Sequence, residues 1–378
     1  MELTKVYRAI DKPFLVSLLA ILLMGIIALT SANATISGDP LSYVKRQLLA
    51  IALGFFILLL MVRVDYSQLC KYDRIVYILT LVLLVAVLVF GKEVRGTQGW
   101  IGVGSFRLQP AEIAKILIIV GFASFLEKRQ GSLETLKDLV PCFLYVLVPF
   151  GLILLQPDVG TGLVVLAVML GMMFVAGANP KLLIKIILAG IGLVGIALFL
   201  HFQFGMWLPL KDYQLLRLTV FLNPYNDGQG GRGVGWNTIQ SLVAIGSGGF
   251  FGKGLFHGTQ VQYSFLPERH TDFIYAVIGE EMGFLGASFL IALYGVLIYR
   301  AVQIAYSSKD LYGTLLVIGI ASMWLFHVFE NIGMSIGMMP VTGIPLPFVS
   351  YGGSAMLANF MGVALVLSVN LKGNRAMF

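Results

Sequence analysis

Run after run of about twenty apolar residues, the length needed to cross a bilayer as a helix, constrains this chain more than any other feature. The runs fall near residues 13–33, 44–62, 74–91, 110–127, 138–155, 159–177, 181–201, 271–299, 312–334 and 351–371. Hydrophobic residues make up 58% of the 378, more than a soluble chain can hide from water. The expectation is therefore an all-α polytopic membrane protein of about ten transmembrane helices. Residues 1–378 form one transmembrane domain, with one large outer loop, 202–270, between spans seven and eight. A net charge of +7 might call nucleic acid to mind. Basic residues at the cytoplasmic ends of membrane spans account for it, so no nucleic-acid partner is expected.

The Lys and Arg positions orient the spans. With both termini in the cytoplasm, fifteen of the 26 basic residues fall on the inner side and five in short outer loops. Lys115 lies within a span, and the other five are in 202–270, a loop long enough to translocate regardless of charge. The first run follows Lys5, Arg8 and Lys12 and precedes Ala32-Asn33-Ala34, so it can be mistaken for a cleaved signal. Its length and the spans after it make it an uncleaved first helix. Cys70 and Cys142 both fall on the inner side, where no disulfide is implied. Within 202–270, Trp236, Ile239, Leu242, Val243 and Ile245 repeat at helical spacing. They predict a re-entrant or interfacial helix folded back on the membrane.

Four short motifs carry polar chemistry at the outer ends of spans. "AIGSGGFFGKG" (244–254) is not a phosphate loop, because Ser247 stands where the first glycine belongs and Gly254 follows the lysine. It reads as a tight glycine turn, or as a close backbone approach to a ligand with Lys253 available for an anion. "RLQPAEIAK" (107–115) opens span four, with Arg107 just outside it and Pro110 in the first turn. Glu112 and Lys115, three apart, share a helix face. They form a structural ion pair or, as intramembrane charges often do, mark a site. "QPDVGTG" (156–162) offers Asp158 as an N-cap of span six, a role compatible with ligand contact. "YVKRQ" (43–47) sets Lys45 and Arg46 at an outer end, against the positive-inside trend. That placement suits an anionic partner, with snorkelling as the plain alternative.

"LPERHTDFIYAVIGEEMG" (266–283) crowds Glu268, Arg269, His270, Asp272, Glu280 and Glu281 into a chain only 12% charged. Asp272 falls at the outer mouth of span eight. Along a continuous helix Glu280 would lie about 12 Å deeper. Both glutamates would then sit at membrane depth, as active groups or as structural partners of a neighbouring helix. Gly279 and Gly283, four apart, allow a close neighbour.

Cations and a few carboxylates from five segments thus gather at one membrane edge, a setting for a phosphate-bearing ligand with a lipid tail. Here the resemblance is specific. "RLQPAEIAK", "QPDVGTG", "AIGSGGFFGKG", "FLPERHTDFIYAV" and "PFVSYGGSAM" resemble, in order and across nearly the whole chain, the signature blocks of the SEDS family of bacterial cell-wall glycosyltransferases. The short tails resemble the elongation member rather than the division member. Ala355 stands where the family often has a second serine. The resemblance implies a multi-pass protein of the bacterial cytoplasmic membrane that polymerises lipid II, the undecaprenyl-diphosphate-linked disaccharide peptide, on the outer face. It also implies a class B penicillin-binding protein and other elongation-complex membrane proteins as partners. The family's proposed catalytic aspartate falls on Asp272, and its other functional positions fall on Arg46, Glu112, Lys115 and Asp158.

The physical reading agrees. A diphosphate leaves well without a general acid, so one base for the acceptor hydroxyl suffices. Cations such as Arg269, Lys115 and Arg46 would stabilise the departing charge. A divalent cation can share that role, though no ligand spacing demands one. A lipid II flippase or a scaffold are the rival classes. A flippase should place its polar groups near the midplane.

Overall fold

The computed structural model describes residues 11–34, 39–94, 97–103, 106–208 and 212–374. Its long helices are α1 (Lys12–Asn33), α2 (Ser42–Met61), α3 (Asp73–Phe90), α4 (Pro110–Glu127), α5 (Leu136–Leu155), α6 (Val159–Val175) and α7 (Pro180–Phe204). The long loop follows with α8 (Asp212–Leu222) and α9 (Trp236–Gly248), and then come α10 (Ile274–Tyr306), α11 (Leu311–Ser335) and α12 (Gly353–Asn374). Eight of these are long and apolar enough to cross a membrane. α4, interrupted by Glu112 and Lys115, and the 17-residue α6 complete the ten. The expected spans are therefore present, each within a few residues of its predicted bounds, except that α10 runs seven residues past its predicted end and is broken as described below. One feature was not predicted. Lys92–Val94, Thr97–Val103 and Phe106–Leu108 form a small antiparallel sheet ahead of α4.

The first apolar run is structural. Phe14, Ile21 and Leu29 of α1 are fully buried. Aromatic rings continue the packing from Phe14 to Trp324 of α11, to Phe348, and on to Phe360 of α12, at centroid distances of 5.7–6.3 Å. Trp324 is fully buried, and its indole N–H finds a partner in Asn359 at 2.9 Å, as a buried tryptophan requires. α7 differs from the rest, burying only Leu183 against its neighbours. In the outer loop α9 forms where the helical spacing predicted it. The glycine-rich turn before it is organised by Asp227. Its carboxylate accepts backbone N–H groups of Gln229, Gly231, Gly233 and Gly235, led by Gly231, and these hold its pKa below the usual carboxylate range.

The predicted continuous eighth span is not continuous. Gly283 adopts φ 65°, ψ −164° and interrupts α10. The glycine loop 249–254 fills the break. Phe284 N–H donates to Gly249 O at 2.9 Å, while Lys253 and Gly254 N–H donate to the carbonyls of Glu280 and Glu281 at 3.0 Å. Only glycines permit so close an approach. A Cβ on Gly283 would run into the Gly252 nitrogen, and one on Gly248 would run into the Gly279 oxygen. The "AIGSGGFFGKG" motif is thus a close backbone approach, made to the broken helix of its own chain.

Candidate functional site

A short irregular segment organises the site. Residues 341–352, between α11 and α12, cross α1 so tightly that a Cβ on Gly25 would meet the Val349 Cα at 2.8 Å. Gly25 lies eight residues below the outer end of α1, about 12 Å along the helix. The strap therefore dips into the bundle. Irregular backbone at that depth survives only where it is buried and its polar groups are satisfied. Ile344, Leu346, Phe348 and Val349 are all buried. The Ile344 carbonyl accepts from Asn331 Nδ2 (2.8 Å), that of Pro345 from His327 Nδ1 (3.1 Å), that of Pro347 from the Tyr294 hydroxyl (2.5 Å) and that of Ser350 from Gln47 Nε2 (3.0 Å).

The strap also reaches the candidate residues. Asp272 sits in the turn just before α10 and is partly exposed. Its backbone carbonyl accepts the same Asn331 amide that holds Ile344, at 3.0 Å. Gly343 (φ 79°) lies alongside, and a Cβ there would come 3.5 Å from the Asp272 carboxylate. The preceding residues are pinned as well, with Ser350 Oγ donating to Thr271 O (2.6 Å) and Tyr351 N–H to His270 O (2.9 Å). The His270 imidazole packs on Tyr43 of α2 at 4.6 Å and on Tyr351 at 6.1 Å. Arg46 lies one helical turn beyond Tyr43, exposed. Beside it, Lys45 pairs with Asp39 at 2.8 Å on the surface, which leaves Arg46 the better of the two predicted cations.

Glu112 and Lys115 are a buried pair at 3.0 Å, with side chains only 5% and 2% exposed. Lys115 Nζ also meets His327 Nε2 at 2.9 Å, and that histidine in turn holds Pro345 of the strap. Asp158 caps α6 as expected, accepting from the Thr161 amide and hydroxyl, both at 2.9 Å. It accepts from Gln109 Nε2 as well, at 3.1 Å, while Gln109 N–H donates to Ser354 Oγ of α12 at 2.9 Å. Gly160, two residues on, packs against Thr342 and Ile344. Arg107 lies in the strand two residues before Gln109, and its side chain is outside the described ones.

Two predicted contacts belong elsewhere. Lys253 does not stand ready for an anion. Its ammonium pairs with Glu280 at 2.7 Å and donates to Thr259 at 2.7 Å. Glu280 is fully buried and also accepts from the Gln260 amide at 3.0 Å, while Glu281 accepts from Ser31 near the end of α1 at 2.5 Å. Gly258 is closed in by both carboxylates. The glutamates are thus structural partners of the returning loop and of the neighbouring helix α1, the second of the two roles expected of them. Arg269 joins this cluster. It is buried, its Nε donates to Ala32 O at 2.7 Å, and burial pushes its pKa down.

The stretch 266–283 therefore divides three ways: Arg269 and the glutamates clamp the loop to α1, His270 packs on tyrosines, and Asp272 faces the strap. Sequence reasoning missed His327, Gln109, Asn331 and Glu330. The last is buried and accepts from Thr342 Oγ1 at 2.8 Å. His327 and Glu330 had a signal, since ionisable residues inside an apolar span are functional candidates by default. Among the described residues no three His, Cys, Asp or Glu side chains converge as a metal cage. A divalent cation at this site would rest largely on phosphate oxygens of a substrate.

The chain's relatives share this architecture. A family model described as cell cycle protein, covering FtsW, RodA and SpoVE, matches residues 12–375. The peptidoglycan glycosyltransferase MrdB of Escherichia coli K12 is 38% identical over 362 residues, 96% of this chain and 93% of that protein. Among solved structures, Thermus thermophilus rod shape determining protein RodA superposes with a TM-score of 0.69 at 32% identity, over 95% of this chain and 96% of its own. A chain from a structure described as the structural coordination of polymerization and crosslinking by a peptidoglycan synthase complex superposes at 0.79, with 32% identity over 96% of this chain and 98% of its own. This chain belongs to the FtsW/RodA/SpoVE family.

Proposed function

We infer that this chain is a peptidoglycan glycosyltransferase that polymerises lipid II into glycan strands at the outer face of the cytoplasmic membrane, in the elongation role of its rod-shape relatives. The family membership and the names of its relatives support the activity. The observation that carries the site assignment is the strap, which lies alongside Asp272, packs on Gly160 beside Asp158, and reaches Lys115 through His327. In this reading Asp272 takes the proton of the acceptor sugar hydroxyl. The oxygen attacks the anomeric carbon of the donor, the bond to the diphosphate breaks, and undecaprenyl diphosphate leaves. Attack from the face opposite the leaving group inverts an α-linked donor to a β-linked glycan. Arg46 at the rim and Lys115 below it are the cations for the diphosphate. Among the described residues Lys115 spends two of its three donors, on Glu112 and His327. A class B penicillin-binding protein that cross-links the strands is the proposed partner. The experiment is fluorescent lipid II with the purified protein. Polymer is expected, transbilayer movement without polymer would mean a flippase, and neither would mean a scaffold.

The same reading places both termini inside and the loop outside. With Cys70 and Cys142 replaced by serine, a cysteine at exposed Gln229 should react with an impermeant thiol reagent in intact cells. A cysteine appended at the C-terminus should not. Labelling of Gln229→Cys only after permeabilisation would invert the topology.

Glu112 and Lys115 should act as a unit, because either charge alone is costly in that setting. Glu112→Gln and Lys115→Met are each expected to impair polymerisation, with the double variant losing less than the sum of the two. Additive losses would mean that the two residues meet substrate separately.

A further inference from the structure

His327 is buried at 2% exposure in α11, where it joins Lys115 of α4 to the strap. Its two ring nitrogens face unlike partners. Nδ1 lies 3.1 Å from the Pro345 carbonyl, which only accepts, so Nδ1 carries the proton. In the neutral ring Nε2 is then a lone pair, and 2.9 Å away stands Lys115 Nζ, whose ammonium only donates. Glu112, 3.0 Å from the same ammonium, completes the chain: strap carbonyl, imidazole, ammonium, carboxylate. With the ring neutral and the lysine charged, every contact in this line pairs a donor with an acceptor.

We propose that His327 is a positioning residue for glycosyl transfer, a neutral acceptor that fixes the Lys115 ammonium against the strap so that its remaining donor meets the substrate diphosphate. The proposal rests on the assignment of Lys115 to the diphosphate. Two features of the geometry set it apart from a plain packing role. First, Pro345 is two residues from Gly343, which lies alongside the Asp272 carboxylate, so the imidazole ties the height of the cation to the segment beside the base. Second, both ring nitrogens of His327 are engaged, one on each side. What the two partners demand is one donor and one acceptor a ring-width apart. The glutamine amide offers that same fork, and methionine, of similar length, offers neither half.

The test compares His327→Gln with His327→Met in the purified protein. Polymerisation of fluorescent lipid II is read well below the unfolding midpoint of each variant, and the midpoints are also measured in a Glu112→Gln/Lys115→Met background. His327→Gln is expected to keep a rate near that of the parent. His327→Met is expected to lose about 10²-fold, the scale on which misplacing a reacting group by an ångström operates. The gap in unfolding midpoint between the two variants should shrink once Lys115 is gone. Equal rates for Gln and Met overturn the proposal. So does a midpoint gap that is unchanged without Lys115, since His327 would then serve the Pro345 carbonyl alone. A parent-like rate for Lys115→Met on its own would instead remove Lys115 from substrate binding, and the proposal would fall with that assignment rather than on its own account.

Discussion

Lys253→Met should unfasten the outer loop. Its ammonium is the cation on Glu280, a side chain with no exposure, and two further donors on that carboxylate, Thr259 Oγ1 and Gln260 N–H, come from the same loop. Removing one member of a buried pair strands the other, and such losses run to about 3–5 kcal/mol. Replacing both charges by neutral groups of similar shape costs far less, because no ion is left buried. The expected outcome is a large fall in unfolding midpoint for Lys253→Met. Protease sensitivity should appear within 249–262, and the Lys253→Met/Glu280→Gln double variant should recover much of both. Thermal unfolding in detergent with limited proteolysis reads this directly. A double variant no better than the single one would mean that the glycine backbone contacts, rather than the ion pair, hold the loop in the break of α10.

Asp272→Asn carries the other large effect. The substitution keeps size and hydrogen bonding and removes the proton acceptor. The backbone contact to Asn331 and the pinning of Thr271 and His270 run through main-chain atoms, so they survive the change. General-base catalysis is worth about 10²–10⁴-fold, so polymerisation should fall by that much or to background. Protein level and association with the proposed transpeptidase partner should stay intact. His270→Gln should keep a measurable fraction of activity. The imidazole is two residues from Asp272 and packs between Tyr43 and Tyr351, and the strap's hydrogen bond goes to the His270 carbonyl, which the substitution keeps.

The bundle was legible because apolar length is a one-dimensional signal. Each of the ten runs had to become a helix once the membrane removed water as a hydrogen-bond partner. α9 was legible for the same kind of reason, its apolar residues repeating at a helical period. The break in α10 was not. From Asp272 to Tyr299 the sequence reads as unbroken apolar helix, and Gly283 looks like any small residue at a helix contact. What decides it is the arrival of another glycine segment from the outer loop, a pairing that local periodicity does not encode. The same blindness offered Lys253 to an anion, when its partner was Glu280. The Glu112–Lys115 pair was legible because three residues on a helix define one face. His327 was visible as an intramembrane ionisable group but had no predicted partner, since Lys115 stands 212 positions away. Only the end of the strap, residues 347–352, falls within a recognisable motif, and its role was not legible, because an irregular segment announces itself only through what it touches.

One measurement bears most directly on the account that Asp272 is the base of a lipid II polymerase. Wild-type and Asp272→Asn protein, purified in parallel and free of contaminating polymerases, are given fluorescent lipid II, and the products are resolved by length. Glycan strands from the wild type and none above background from an equally stable Asp272→Asn variant are the predicted result. Strands of comparable yield from Asp272→Asn would contradict it and leave Asp272 as a structural residue of the turn before α10.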